Sequence, residues 1–185
     1  MPGNHHLYVP GPSNVPAAVQ QAIHCPMEDH RNPTIPGLIT PLVEDLKKIV
    51  LTEKGKVVFF PSSGTGCWEA ALQSTLNMGD TVLGASFGQF SMLWLDMCKR
   101  LQFKAITMDE EWGTGANPES YHRELSKDKD HKIKAVLVCQ NETATGVRSD
   151  VLAIRKVLDD LNHPALLMVD GVSSVGSYEF RMDDW

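Results

Sequence analysis

The sequence predicts an α/β fold: a mainly parallel sheet with helices on both faces. Three features carry that prediction. Short apolar, β-branched runs alternate with longer segments whose apolar residues recur at helical spacing, the pattern of repeated strand–helix units. The run at residues 135–140 is apolar almost throughout, as a strand covered on both faces would be. Polar or glycine-bearing loops follow the strand-like runs at residues 62–66, 86–90, 141–146 and 170–174. Ligands of such sheets sit beyond the carboxyl ends of the strands, so the convergence of four loops of this kind weighs more than any one of them.

The elements follow in order. Residues 1–36 form an N-terminal arm whose prolines, among them Pro10, Pro12 and Pro16, exclude a long regular element. One short helix is expected at 17–23, and the mix of Pro, Gly and apolar residues suggests an arm packed on its own core or on a partner subunit. Residues 37–185 make the α/β part. A helix is expected at 38–51, with Leu38, Ile39, Leu42, Val43, Leu46, Ile49 and Val50 inward and Glu44, Asp45, Lys47 and Lys48 outward. A strand at 57–60, a tight turn at 62–66 and a helix at 69–76 come next. Further strands are expected at 81–85, 103–108, 135–140 and 165–169. The helices between them carry Phe90, Leu93, Trp94, Met97 and Leu101 on one face, begin at Pro118, or turn Val151, Ile154, Val157, Leu158 and Leu161 inward. The charged run 127–134 reads as a solvated linker.

Composition narrows the function. The chain has 185 residues, is 42% hydrophobic, and carries 17 basic against 23 acidic side chains, a formal charge of −6. That acidic balance, with no basic run, argues against a nucleic-acid partner. No apolar run approaches a membrane span, so no membrane partner is expected, and residues 1–10 lack the pattern of a signal peptide. Cys25, Cys67, Cys98 and Cys139 are scattered, which fits reduced thiols in an intracellular protein; with the seven His they show no metal-ligand spacing, so no metal is expected.

The strand–turn–helix stretch at 57–72 is the centre of the chain. Small residues at Ser63, Gly64 and Thr65 let an anion approach the free N–H groups of a helix start, and the two hydroxyls are further donors. The same stretch also suits an ordinary βα loop with a serine cap. Asp170 follows an apolar strand directly, so it lies partly desolvated at a sheet end and calls for a cationic partner. A protonated pyridine nitrogen would serve, and the acid would keep that ring an electron sink; binding a metal or capping a loop are the alternatives. Phe87 either stacks on such a ring or belongs to the core. Thr143 either bonds a ring oxygen or makes a local turn. Rival motifs fail: after Gly64 and Gly66 the third position of a dinucleotide fingerprint is Glu69, and neither a Gly-Lys-Ser/Thr loop nor a G-x-S-x-G elbow occurs.

At these residues the chain resembles the class V, fold-type I pyridoxal-phosphate aminotransferases, and within them the branch that uses glyoxylate. The resemblance runs over His5-His6-Leu7, Val9-Pro10-Gly11-Pro12, Ser63-Gly64-Thr65-Gly66 with Trp68-Glu69, and Gly88-Gln89-Phe90-Ser91. It continues through Asn141-Glu142-Thr143-Ala144-Thr145-Gly146, Val169-Asp170-Gly171-Val172-Ser173-Ser174 and Phe180-Arg181-Met182-Asp183. It implies that residues 37–185 are the N-terminal part of the family's large domain. It implies pyridoxal 5'-phosphate as cofactor, its phosphate on Ser63, Gly64 and Thr65, Thr143 at the ring, Asp170 on the pyridine nitrogen, Val172 on one ring face and Phe87 over the other. Pro10, Gly11, Pro12 and Asn14 would line the substrate entrance near the partner of a homodimer. Small amino and keto acids are the implied substrates, with amino transfer to glyoxylate in a peroxisome, or in a mitochondrion or the cytoplasm, as the implied setting. Another class V enzyme, desulfurase-like, and a non-catalytic truncated homologue acting by dimerisation are the alternatives. The chain stops at Trp185 on a loop-like stretch, so a longer gene product is expected. By the resemblance the Schiff-base lysine, in a Gly-Ser-Gln-Lys segment, and the arginine that takes the substrate carboxylate lie past that point, and no catalytic residue is expected before it.

Overall fold

A computed structural model describes residues 6–185; His5 lies outside the described residues. The chain divides into two compact units, residues 1–46 and 47–185. In the first, α1 (Ala17–Ile23) stands where the sequence places it, and residues 6–31 are exposed throughout. The helix α2 (Ile35–Ile49) starts three residues before its expected position, with Pro36 in its first turn. Its apolar spacing is as expected, but none of its residues is buried: Leu38, Ile39, Leu42 and Ile49 are all exposed.

The second unit opens with α3 (Gly64–Thr75) and continues as β1 (Thr81–Ser86), α4 (Gln89–Arg100), β2 (Lys104–Asp109), α5 (Pro118–Leu125) and β3 (Ile133–Cys139). A short hairpin of β4 (Asn141–Glu142) and β5 (Val147–Arg148) follows, then α6 (Val151–Asp160) and β6 (Leu166–Asp170). Four strands form one sheet in the order β2-β1-β3-β6, and every pairing in it is parallel. The two inner strands, β1 and β3, are buried, as their apolar composition requires. Around them close Leu72, Trp94, Leu95, Tyr121, Leu125, Ile154 and Leu158.

The chain runs from β1 outward to β2 and returns to place β3 on the other side of β1, so the order reverses between β1 and β3. At such a reversal the loops leave in opposite directions and open a crevice at the strand ends. Here the β1–β3 pairing stops at Gly84 and Leu137. Just beyond, the Tyr121 hydroxyl fills the gap, accepting from Ala85 N at 3.1 Å and donating to Leu137 O at 2.9 Å. Burial pushes that phenol well above its usual range, so it stays protonated as a donor.

Two expectations need correction. Residues 57–60 are not a strand: they pair with nothing in the sheet, and Val58, Phe59 and Phe60 are exposed. A β-branched, aromatic run reports a preference for a half-buried pleated surface, whereas a strand also needs a neighbouring edge, and no described residue supplies one. The charged run 127–134 is more than a solvated linker. Asp128 accepts from Lys132 N and Ile133 N and meets the buried His163 ring at 3.3 Å, pinning the entry to β3 against the turn before β6. Those bonds hold the Asp128 carboxyl below its usual range in spite of its burial.

Candidate functional site

The carboxyl end of the sheet collects the residues that the sequence singles out. Ser63 is the N-cap of α3, with extended backbone, and its hydroxyl makes no capping bond to the helix. The N–H groups of Gly64 and Thr65 precede the first backbone bonds of the helix, so they are unclaimed by it. Gly64 lies directly against the loop after β6: a Cβ at Gly64 would come within 2.6 Å of Val172 Cγ2. Glycine suits the position because the Val172 side chain packs directly on the helix start. The start of α3 and the end of β6 thus meet at one place, 106 residues apart in sequence (170 − 64 = 106).

A cleft of about 320 Å³ runs along this junction, lined by Gly64, Trp68, Trp94, Asp170 and Val172 among others. No lysine lines it. Asp170 is half-buried in its wall. Its Oδ1 accepts from Val172 N at 2.8 Å, and its Oδ2 accepts from the Trp68 indole nitrogen at 3.1 Å. Among the described residues no cation lies within ion-pair distance of it. Burial pushes this carboxyl up from its usual value; the Val172 and Trp68 donors pull the other way, and the nearby Glu142 charge adds to the rise.

Thr143 joins the same end through a hydroxyl chain. Thr143 Oγ1 donates to Ser173 Oγ at 2.9 Å, Asn141 Nδ2 donates to the same oxygen at 2.8 Å, and Ser173 Oγ donates to Asn141 O. Ser173 stands three residues past Asp170, so the loops after β3 and β6 are tied together. Of the expected polar loop at 141–146, residues 141–142 form β4 and residues 143–146 are the turn that leads to β5.

The structure thus gathers Gly64, Asp170 and Val172 on one cleft and sets Ser63, Thr65 and Thr143 at the same end. Phe87 is completely buried among the core residues, and its N–H is fixed by Ser91 Oγ at 3.1 Å. Pro10, Gly11, Pro12 and Asn14 lie in the first unit and are exposed; Asn14 Oδ1 accepts from Leu7 N at 2.7 Å.

Sequence reasoning missed two residues. Glu142 is fully buried, and its carboxylate accepts from Phe90 N, Ser91 N and Ala144 N, closing the first turn of α4. The signal available was an acidic residue inside an otherwise neutral loop following a buried strand. The other is Trp68, whose indole bonds Asp170. An aromatic in a helix reads as core, and nothing in its spacing announces a bond to a distant acid.

The model of the aminotransferase class-V family matches residues 27–185, so the chain belongs to that family. It is 59% identical over 97% of its length to the serine–glyoxylate aminotransferase of Hyphomicrobium methylovorum, of which it covers 44%. It is 45% identical over its whole length to the L-aspartate–glyoxylate aminotransferase of Paracoccus denitrificans, covering 47% of that protein. Among solved structures, the ureidoglycine–glyoxylate aminotransferase of Bacillus subtilis superposes with a TM-score of 0.87 at 28% identity, over 96% of this chain and 44% of that one. The fold is accordingly that of the fold-type I transferases, and the family's cofactor is pyridoxal 5'-phosphate. The chain spans a little under half the length of the curated relatives it matches.

The residues present fit that cofactor on two observations. At the start of α3 the Gly64 and Thr65 N–H groups are unclaimed by the helix and the Ser63 hydroxyl makes no capping bond, which suits an anionic group lying close to them. Asp170 is a desolvated carboxylate with no cation beside it among the described residues, which suits a protonated pyridine nitrogen.

Proposed function

We propose that the whole protein transfers an amino group from serine to glyoxylate, giving hydroxypyruvate and glycine, with pyridoxal phosphate held at the sheet end described above. The observation that carries this reading is the meeting of the α3 start with the β6 end, which brings free helix-start N–H groups and a carboxylate without a cation among the described residues to one cleft. The relatives' names support the acceptor most strongly. Glyoxylate stands in all three, while the donors are serine, L-aspartate and ureidoglycine. Serine is favoured as donor because the serine-named relative is 59% identical and the aspartate-named one 45%. Alanine, which would give pyruvate, is the next donor to test.

When bound, the pyridinium ring supplies an electron sink for the bond broken at the amino acid's α-carbon. The chain's own residues do the rest by position. Ser63, Gly64 and Thr65 would hold the phosphate with backbone and hydroxyl donors aimed from a helix start. Asp170 would hold the ring nitrogen protonated, and Val172, 72% exposed beside it, would pack against the ring. Thr143 would present its hydroxyl at the ring edge, steadied by Ser173.

The test is the purified whole protein, supplied with pyridoxal phosphate, given serine, alanine or aspartate with glyoxylate and followed for glycine. The reading expects glycine, fastest with serine. No glycine from any donor would end it, and faster turnover with aspartate or alanine would move the donor assignment alone. A homodimer and a peroxisomal, photorespiratory setting belong to this proposal by the resemblance to plant-type enzymes. Sedimentation of the whole protein and imaging of a tagged copy test them.

A further inference from the structure

The Asp170 carboxylate is gripped from three elements. Val172 N from its own loop takes Oδ1. The Trp68 indole of α3 takes Oδ2, and Cys139 Sγ at the end of β3 lies 3.9 Å from that same oxygen. The Cys139 thiol is pushed well up by burial and by Asp170 itself, so it remains a weak, protonated donor. Of these groups only Trp68 is both a strong side-chain donor and part of the phosphate-bearing element. It follows Gly64 by four residues on α3, about 6 Å along the axis.

Trp68 is itself immobilised. Its ring stacks on Trp94 with centroids 5.4 Å apart and planes 11° from parallel. The two residues are 6% and 3% exposed, and both line the cleft. Among the described residues Trp94's indole nitrogen has no partner, so of the stacked pair Trp68 alone is committed to the acid. One rigid helix therefore presents N–H groups to the anion cradle at its start and, a turn later, fixes the acid that would face the ring.

We propose that Trp68 is a positioning residue for the amino transfer: its indole N–H sets the orientation of the Asp170 carboxylate and favours its charged form, so that α3 aligns both ends of the cofactor. This rests on the pyridoxal-phosphate reading above. An indole N–H only donates, so it favours carboxylate over carboxylic acid. The opposing influences are burial and the charge of Glu142 from β4; the Val172 N–H and the Cys139 thiol act on the same side as Trp68. Removing the indole N–H therefore raises the pH at which Asp170 takes up a proton.

The experiment uses the whole protein as wild type, Trp68→Phe and Asp170→Asn. Phenylalanine keeps an aromatic ring for Trp94 and removes the donor along with some volume, and the pH profile separates the two effects because lost volume alone does not move the acidic limb. The inference expects Trp68→Phe to bind pyridoxal phosphate but to lose about tenfold in kcat, with the amino-acid KM within about twofold, since the bond to a charged acceptor is lost. The acidic limb of its kcat/KM profile should also move to higher pH. A cofactor-free measurement needs no variant that might misfold. In 15N-indole spectra of wild-type apoprotein, one indole signal should shift with pH as Asp170 titrates, and Asp170→Asn should abolish that shift. Equal kcat and an unmoved acidic limb in Trp68→Phe, or no titrating indole in the wild type, overturns the inference while leaving cofactor binding intact. A wild type that binds no pyridoxal phosphate overturns the functional reading, and this inference with it.

Discussion

Asp170 carries a cost in the cofactor-free protein. Its folded pKa lies above the ordinary carboxylate value because burial outweighs its donors. A group with a raised folded pKa contributes stability that is fully present below its unfolded pKa and is lost as pH rises through the folded one. Asp170→Asn apoprotein should therefore gain on wild type across that window and hold a constant difference above it. Denaturant unfolding over a pH series reads this directly; a difference flat with pH contradicts it. Gly64 is the second decisive residue. Gly64→Ala would drive a methyl into the Val172 side chain and disturb the residue that would pack on the ring, so pyridoxal-phosphate affinity should fall by about tenfold. A binding titration checks this, and unchanged affinity would place the phosphate elsewhere.

At the scale of elements, helix starts position the site. Asn117 Oδ1 caps α5 by accepting from Glu119 N, with Pro118 at the first helical position, and Asp150 caps α6 by accepting from Ala153 N at 2.9 Å. Asp150→Ala should cost about 1 kcal/mol, as lost caps do. The start of α4 is closed by Glu142 from a different loop, and Gly88 faces that side chain so closely that no Cβ fits between them. Glu142→Ala would strip the N–H groups of Phe90, Ser91 and Ala144 of a charged acceptor and should cost roughly 2–3 kcal/mol in denaturant unfolding. It should also loosen Thr143, the next residue. A loss no larger than that of Asp150→Ala would show that water replaces the carboxylate.

For the whole molecule, the parallel sheet was legible because buried strands such as 133–139 leave almost no polar residues to misread, and because Pro118 marks a helix start. The cradle and Asp170 were legible because each follows from one local pattern: small residues before a helix, an acid directly after an apolar strand. What the sequence did not reveal depends on distant partners. The strand expected at 57–60 lacks a neighbour, Phe87 turns into the core, and the Trp68–Asp170 and Asp128–His163 bonds join residues 102 and 35 apart. The exposed Val58, Phe59 and Phe60 give the 185-residue chain an adhesive stretch. Replacing both phenylalanines by serine should lower its binding of a hydrophobic dye and leave its circular dichroism unchanged.

The central claim is that one cleft holds both the phosphate and the ring nitrogen of a single cofactor. Trp68 and Trp94 line that cleft, so their fluorescence reports what enters it. The measurement is a titration of the cofactor-free whole protein with pyridoxal phosphate, read by tryptophan quenching, in wild type and Asp170→Asn. Saturable quenching is expected in the wild type and markedly weaker binding in the variant. Absent quenching, or equal affinity in the two proteins, would contradict it.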